Sequence, residues 1–302
     1  MIKKTLILTF ILLTVWATYI YFYPGASATQ GQMQSNLAKA QNYIYSEKTP
    51  NVVLVGSSLA CRLKKDQMPE VVNLAFSGMS AIDGLKIIVE SGKFPKFILI
   101  ESNFIIKTSK IDFHETLFSP FLRDLRKTFV FLRADKQPLV HLSKHVFEPF
   151  NSFVSNLVFA SSKNEAKTNN INRRKSPNSK TLNLQKEKLS ELPTTQELNA
   201  HLRSFDSLIS IVEKNGCKVV FFEMPIHMQL DSMPVINAGR QFLGQYFHDP
   251  KYGYIKLPGN ASSYMTTDGL HLDKGEAIRY TNYFSKELES LINQNDVKNH
   301  SK

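Results

Sequence analysis

Two adjacent serines and a distant Asp-x-x-His motif are the residues of this chain with the clearest chemical potential. Ser57 and Ser58 follow an apolar run that ends at Gly56. Asp268 and His271 lie three residues apart near the C-terminus. A serine hydroxyl, a histidine that removes its proton and a carboxylate that holds the histidine tautomer are the groups that nucleophilic acyl transfer requires. The combination therefore predicts a serine-dependent acyl-transfer site.

The serines can meet the histidine only if the intervening chain brings both to one edge of a sheet. Apolar runs at residues 52–55, 71–75 and 97–100 alternate with segments of helical spacing. This alternation is typical of βαβ units and predicts a parallel sheet. Later runs at residues 218–223 and 254–257 predict a fourth and a fifth strand. Because the carboxyl ends of parallel strands share one edge, we expect the site there.

Donors for an oxyanion are predicted at the same edge. Gly78 follows the second predicted strand, and Asn103 follows the third. The backbone N–H of Gly78 and the side-chain amide of Asn103 can donate hydrogen bonds to the oxyanion of a tetrahedral intermediate. Loss of one such donor typically lowers the rate about 10²–10³-fold.

Four short blocks of the chain resemble, in the same order, those of the SGNH (GDSL-like) hydrolase superfamily: Gly56–Leu59, Asn73–Gly78, Glu101–Asn103 and Asp268–His271. The resemblance covers the sheet-forming parts of the chain. It implies a flavodoxin-like three-layer α/β/α fold with a parallel sheet of about five strands. It also implies Ser58 as the nucleophile, His271 as the general base and Asp268 as its orienting carboxylate. Ser58, Gly78 and Asn103 would form the oxyanion hole.

The architecture of the chain is similar to one branch of this superfamily. The Gly-Ser-Ser form, an N-terminal membrane segment and a large insertion resemble the extracytoplasmic O-acetyltransferases of exopolysaccharides and the D-alanine transfer protein of teichoic acid synthesis. That branch implies O-acyl, chiefly acetyl, transfer to a cell-surface or exported polysaccharide or another hydroxyl acceptor. A membrane acyltransferase partner would supply the acyl donor. The same triad acting as a carbohydrate esterase is an alternative.

A non-catalytic surface-polymer assembly or binding protein is the second alternative. Its support is that Glu101 stands where the superfamily usually has glycine, and Phe104 where an aspartate is frequent.

Several of the candidate site residues could serve a different role. Ser58 could be a helix N-cap, and Ser57 competes with it as nucleophile. Ser57, Glu101 and His227 are candidate substrate-binding residues, and His227 is an alternative base. The Gly56–Ala60 segment approximates the nucleophile elbow of α/β-hydrolases, but its serine follows the first strand, and acid and base share one turn. No paired His or Cys spacing indicates a metal, and we expect no cofactor.

The N-terminus carries a candidate membrane segment. Lys3 and Lys4 precede an apolar run that ends among aromatic residues, which predicts a cytoplasmic N-terminus and an extracytoplasmic remainder. Ala26-Ser27-Ala28 fits a signal-peptidase site, so residues 1–29 are either a retained single-pass anchor, which we favour, or a cleaved signal peptide of a secreted protein. The net charge of +11 favours acidic partners, but this location argues against nucleic acid.

Residues 30–302 are predicted to form one domain with an insertion. The βαβ rhythm stops after the third strand, so residues 104–193 form a helical or disordered insertion. Residues 161–188, rich in Asn, Ser, Lys and Arg, predict a mobile basic loop, either a solvated insertion or a lip for an anionic polymer or membrane. Cys61 and Cys217 are expected at opposite edges of the sheet, about 15 Å apart and beyond disulfide reach.

Overall fold

The computed structural model describes residues 2–144 and 177–300, with side chains described as far as residue 294. Two compact units are present. The helical unit comprises Met1–Ser46 and Asp112–Asn172, and the sheet unit comprises Glu47–Ile111 and Arg173–Lys302. Part of the predicted insertion therefore forms a unit with the N-terminal residues.

The sheet unit is built on five parallel strands in the order 2-1-3-4-5. Each lies within two residues of a predicted apolar run: β1 (Val52–Gly56), β2 (Val71–Ala75), β3 (Phe97–Glu101), β4 (Lys218–Phe222) and β5 (Gly253–Ile255). The prediction of an α/β fold with a parallel sheet of about five strands is confirmed. Strand order 2-1-3-4-5 is also that of flavodoxin-like sheets.

Helices cover both faces of this sheet. In the described sheet unit they are α3 (Ala81–Ser91), α7 (Ser179–Ser190), α8 (Thr195–Lys214), α9 (Met228–Asp231), α10 (Pro234–Tyr246) and α11 (Lys274–His300). The ring of Phe222 packs on Phe284 of α11, with centroids 4.8 Å apart, whereas Phe221 packs on Phe247, just after α10, at 5.3 Å. Because adjacent strand residues point to opposite faces, these contacts belong to two different layers.

The described helical unit contains α1 (Ile2–Phe22), α2 (Gln32–Ile44), α5 (Pro120–Thr128), α6 (Pro138–Leu142) and nearly all of α4 (Ile111–Phe118). Short 3₁₀ helices at Val130–Leu132 and Ala134–Lys136 join α5 to α6. By length and composition α1 can cross a membrane, which is compatible with either an anchor or a signal sequence.

Part of the predicted basic loop is helical. Asn178 caps the start of α7, because its Oδ1 accepts the N–H of Lys180 at 2.8 Å. Leu182 and Leu189 bury one narrow stripe of the helix. The loop prediction is wrong for residues 179–188, and residues 161–176 lie outside the described residues. The prediction failed because the segment consists mainly of polar residues, and a helix that buries only two leucines does not need more apolar positions than these.

The two cysteines are not joined by a disulfide, as predicted. Cys61 lies after the carboxyl end of β1, whereas Cys217 immediately precedes the amino end of β4. Burial raises the pKa of the Cys217 thiol to about 11.

Candidate active site

The turn after β1 gives its two serines different environments. The N–H of Ser57 donates to Oε2 of Glu101 at 2.6 Å, and the Oγ of Ser57 accepts the N–H of Leu59 at 3.2 Å. Ser57 is buried, whereas Ser58 is partly exposed. Ser57 therefore holds the turn, and Ser58 is the serine with the more accessible side chain.

Glu101 supports this turn from the end of β3. It is 1% exposed, and a Cβ on Gly56 would lie 2.7 Å from the Cβ of Glu101, so any larger residue at position 56 would force Glu101 or the turn to shift. Burial raises the pKa of Glu101, while its hydrogen bonds with Ser57 act in the opposite direction. The sequence suggested substrate binding for Glu101. The structure instead places this carboxyl against the backbone of the turn.

His271 bridges Ser58 and Asp268. Its Nε2 lies 2.8 Å from the Oγ of Ser58, and its Nδ1 lies 2.8 Å from Oδ2 of Asp268. If Nδ1 carries the proton and donates to the carboxylate, Nε2 presents its lone pair to the serine hydroxyl. The arrangement has the geometry of a nucleophile, a base and a carboxylate that orients the base.

The side chain of Asp268 also holds the backbone of the loop that carries His271. Oδ1 of Asp268 accepts the N–H groups of Leu270 at 3.0 Å and of His271 at 2.8 Å. Partial burial raises the pKa of Asp268, but the hydrogen bonds from His271 and the charge of that ring outweigh it, and the pKa falls to about 2. Asp268 is therefore ionised near neutral pH.

A glycine permits close packing of this loop against α7. Gly269 has a φ of 95°, in the left-handed region that disfavours other residues. A Cβ at Gly269 would lie 2.8 Å from Cδ1 of Leu182 in α7 and 2.9 Å from Cδ1 of Leu230 in α9. The helix hidden in the predicted loop thus contacts the Asp268–His271 turn.

Two backbone N–H groups are available as oxyanion donors. In the described part of the chain, neither the N–H of Ser58 nor that of Gly78 has a hydrogen-bond acceptor. Gly78 has a φ of 77°, and its carbonyl accepts a hydrogen bond from Nζ of Lys107 at 2.9 Å. Burial and the nearby charge of Lys110 lower the pKa of Lys107. Lys107 is a site residue that the sequence did not indicate.

Asn103 joins the chain beyond β3 to the chain beyond β4. Its Oδ1 accepts the N–H of Met224 at 2.7 Å, and its Nδ2 donates to the carbonyl of Met224 at 3.0 Å. One hydrogen of Nδ2 suffices for that bond. The role of Asn103 as an oxyanion donor stays a prediction, because the contacts described for its side chain are with Met224.

His227 has a structural position beside the site. Its Nδ1 accepts the N–H of Gln229 at 3.3 Å, which caps α9, and its own N–H donates to the carbonyl of Gly269 at 2.8 Å. The histidine at Ser58 is His271, so the structure does not favour His227 as the alternative base.

A cavity of about 630 Å³ opens at Ser58 and His271. Its apolar lining includes Met79, Phe104, Ile106, Leu189, Val235 and Leu270, and its polar lining includes Ser57, Lys107, Thr108, Gln185, Lys188, Glu191 and Glu197. The amide of Gln185 also lies 3.5 Å from Oδ2 of Asp268.

Sequence reasoning missed the α7 residues, although Asn178 and the seven-residue spacing of Leu182 and Leu189 were available signals. Within the described residues no group of three His, Cys, Asp or Glu side chains could hold a metal ion.

Comparisons with known proteins add little to this geometry. No family model matches the chain, and no curated protein matches it. A solved structure from Streptococcus pneumonia, provisionally described as a platelet activating factor, is 11% identical. The alignment covers 94% of this chain and 98% of that one, with a TM-score of 0.39. No function follows from a similarity at this level.

Proposed function

We propose that the chain is an SGNH-type enzyme that transfers an acyl group, chiefly acetyl, to a hydroxyl of a cell-surface or exported polysaccharide. The observation that carries the proposal is the bridge of His271 between Ser58 and Asp268, with both distances at 2.8 Å. These residues are far apart in sequence, and the ordinary structural roles of serine, aspartate and histidine do not require them to meet. The flavodoxin-like strand order and the four SGNH-like blocks agree with the proposal.

In the first half-reaction Ser58 becomes acylated. Its Oγ attacks the carbonyl carbon of an activated acyl ester, Nε2 of His271 takes the hydroxyl proton, and the carbonyl oxygen becomes an oxyanion. The N–H groups of Ser58 and Gly78 donate to that oxyanion, with Asn103 as a further candidate donor. When the intermediate collapses, the bond to the leaving alcohol breaks, and that oxygen receives the proton from His271.

In the second half-reaction the acyl group leaves Ser58. The acceptor hydroxyl transfers its proton to His271 while its oxygen attacks the acyl carbon. Collapse of this second intermediate breaks the bond to Oγ, and the proton on His271 returns to Ser58. Water in place of the sugar hydroxyl would give the esterase reaction, so the two activities differ only in which hydroxyl reaches the acyl-enzyme.

The cavity supports a polyhydroxyl acceptor. Its volume far exceeds what a two-carbon acyl group needs, and α7 contributes Gln185 and Lys188 to its lining. Amide, ammonium and carboxylate groups can hydrogen-bond sugar hydroxyls, while the apolar lining can pack against sugar C–H surfaces. In this proposal α1 is retained as a single-pass anchor, the sheet unit lies outside the cytoplasm, and a membrane acyltransferase supplies the donor.

The test is acetyl transfer by the purified full-length chain in detergent. An activated acetyl ester is offered with and without an oligosaccharide, and the acylated residue is located by mass spectrometry. We expect acetyl on Ser58, faster turnover when sugar is present, and acetylated sugar among the products. Faster turnover with sugar separates a transferase from an esterase, which would release acetate at the same rate in both cases.

The neighbouring serine provides a matched control. Ser58→Ala should abolish both covalent acetylation and turnover, whereas Ser57→Ala should keep acetylation at position 58, since Ser57 contacts the turn and not His271. Turnover by Ser58→Ala equal to that of the unaltered chain, or no turnover by either, would exclude both the transferase and the esterase and leave the binding-protein alternative.

A further inference from the structure

The segment from α5 to α6 exposes large apolar side chains. Phe121 is 71% exposed and Leu139 is 78% exposed, and four further residues of the segment are exposed: Leu122, Phe129, Leu132 and Leu142. In α5 the apolar positions 121, 122 and 125 fall on one side, and Arg123 and Lys127 fall on the other. An exposed surface of this composition marks an interaction site.

The same segment is attached to the C-terminal part of α1. Nε1 of Trp16 donates to the carbonyl of Lys136 at 2.9 Å, and the ring of Trp16 packs against His141 with centroids 5.2 Å apart. Ile20 is 2% exposed, whereas most other apolar side chains of α1 are exposed. The contacts fix the depth of the α5–α6 segment relative to α1.

The link just after α1 is also bound to this segment. The N–H of Ala28 donates to the carbonyl of Asp135 at 3.0 Å, and Nζ of Lys136 donates to the carbonyls of Pro24 and Ala26. Lys136 and Asp135 form a buried ion pair at 3.1 Å. The candidate cleavage site Ala26-Ser27-Ala28 is therefore part of the folded helical unit, which favours retention of α1.

The length of α1 determines where these contacts lie in a bilayer. Its 21 residues extend about 31 Å, close to the roughly 30 Å of a hydrocarbon core, so the whole helix is needed to span it. Trp16 precedes Phe22 by six residues, or about 9 Å. The part of α1 that contacts the α5–α6 segment thus lies within about 9 Å of the extracytoplasmic end of the helix, a depth that the apolar face of an interfacial helix reaches.

We propose that the α5–α6 segment, residues 120–142, lies at the extracytoplasmic interface of the membrane that α1 spans, with its apolar side chains against lipid. The occupant is the lipid around α1, because Trp16 attaches the segment to a helix whose other apolar side chains are mostly exposed and themselves require lipid. Arg123 and Lys127, on the opposite side of α5, face the headgroup region and water. The proposal requires that α1 stays attached, and it is independent of the proposed acyl transfer.

Depth-dependent fluorescence quenching tests this arrangement in the full-length chain reconstituted into nanodiscs. A small environment-sensitive dye is attached to Phe121→Cys, to Leu139→Cys or to the control Arg123→Cys, which lies two residues and about 200° around α5 from position 121. Lipids with a nitroxide at a shallow acyl position are the quencher. The unaltered chain, labelled in the same way, measures the background from Cys61 and Cys217.

An interfacial segment gives at least about twofold stronger quenching at positions 121 and 139 than at 123, because the apolar face enters about 5–10 Å into the boundary. Equal quenching at the three positions, or none at any of them, would overturn the proposal. Energy transfer between differently labelled chains would also overturn the proposal, because it would show that a second copy of the chain, and not lipid, covers positions 121 and 139. Position 139 is in a separate helix, so quenching at Leu139→Cys remains informative even if Phe121→Cys disturbs α5.

Discussion

Replacing Asp268 by asparagine should abolish the proposed acyl transfer by imposing the wrong tautomer on His271. Oδ1 of Asp268 accepts two backbone N–H groups, those of Leu270 and His271. An asparagine must keep its oxygen at that position, so its NH₂ group takes the place of Oδ2 beside Nδ1 of His271. An NH₂ group donates and does not accept, so Nδ1 becomes the acceptor and the ring proton moves to Nε2. The nitrogen 2.8 Å from Ser58 then has no lone pair to take the serine proton.

The size of this effect follows from the transition state. In a Ser-His-Asp site, the change of aspartate to asparagine lowers kcat about 10⁴-fold through the tautomer, which corresponds to about 5.5 kcal/mol of activation free energy. Asp268→Ala removes the acceptor for Nδ1 but supplies no competing donor, so both tautomers remain populated. We therefore expect a smaller loss for alanine than for asparagine, the reverse of their order of similarity to aspartate.

The assay is kcat for hydrolysis of an activated acetyl ester by the three purified chains. Circular dichroism verifies that each variant is folded. Asparagine activity within tenfold of the unaltered chain would refute the reasoning, as would an asparagine variant more active than the alanine variant. The first result would mean that Asp268 does not orient the base, and the second that the backbone N–H groups do not fix the amide.

Three further predictions concern stability and reactivity. Gly56→Ala should lower the free energy of unfolding by about 1–3 kcal/mol, measured by urea denaturation, because the new methyl group meets Glu101 at 2.7 Å; an unchanged value would show that the turn can move. Asp268, whose pKa is about 2 in the folded chain against an ordinary 3.8, should contribute about 1–2 kcal/mol of stability above pH 4, and this contribution should disappear as the pH falls from 4 to 2. Asp268→Asn should lack that pH-dependent part in the same denaturation series, and equal acid sensitivity of the two chains would contradict it. Cys217, with a thiol pKa of about 11, should react much more slowly at pH 8 with a maleimide than it does after unfolding in urea, and equal rates would show that the thiol is accessible.

The local sequence pattern was sufficient to predict the strands of the sheet and the sheet edge at which the candidate site lies. Buried parallel strands need continuous apolar runs, so the runs at residues 52–55, 71–75 and 97–100 marked β1 to β3 to within one residue. The contact between Asp268 and His271 could also be predicted, because a spacing of three residues within one turn allows the carboxylate to reach the imidazole ring. Alternation of strands and helices then required the serines and Gly78 to follow strands at one edge.

Helices that bury only a narrow stripe give a weak sequence signal, and here the polar composition outweighed it. The polar composition of residues 161–188 suggested a loop, yet α7 forms at Ser179–Ser190 because two leucines and an N-cap suffice when another element offers them a surface. For Leu182 that surface includes the glycine-containing turn before His271, which is distant in sequence. The cavity lining from α7 was therefore missed together with the helix.

The sequence by itself determined the strands, the predicted edge of the site and a short list of reactive side chains, since these depend on periodicity and on neighbours within a few residues. Only the tertiary structure decided how that list is used. Ser58 and not Ser57 contacts His271, across 213 residues of chain, and Glu101 is buried where it accepts the N–H of Ser57. Asn103 contacts Met224, 121 residues away. Hydrogen bonds across such separations depend on strand register and on side-chain direction, which no local pattern specifies.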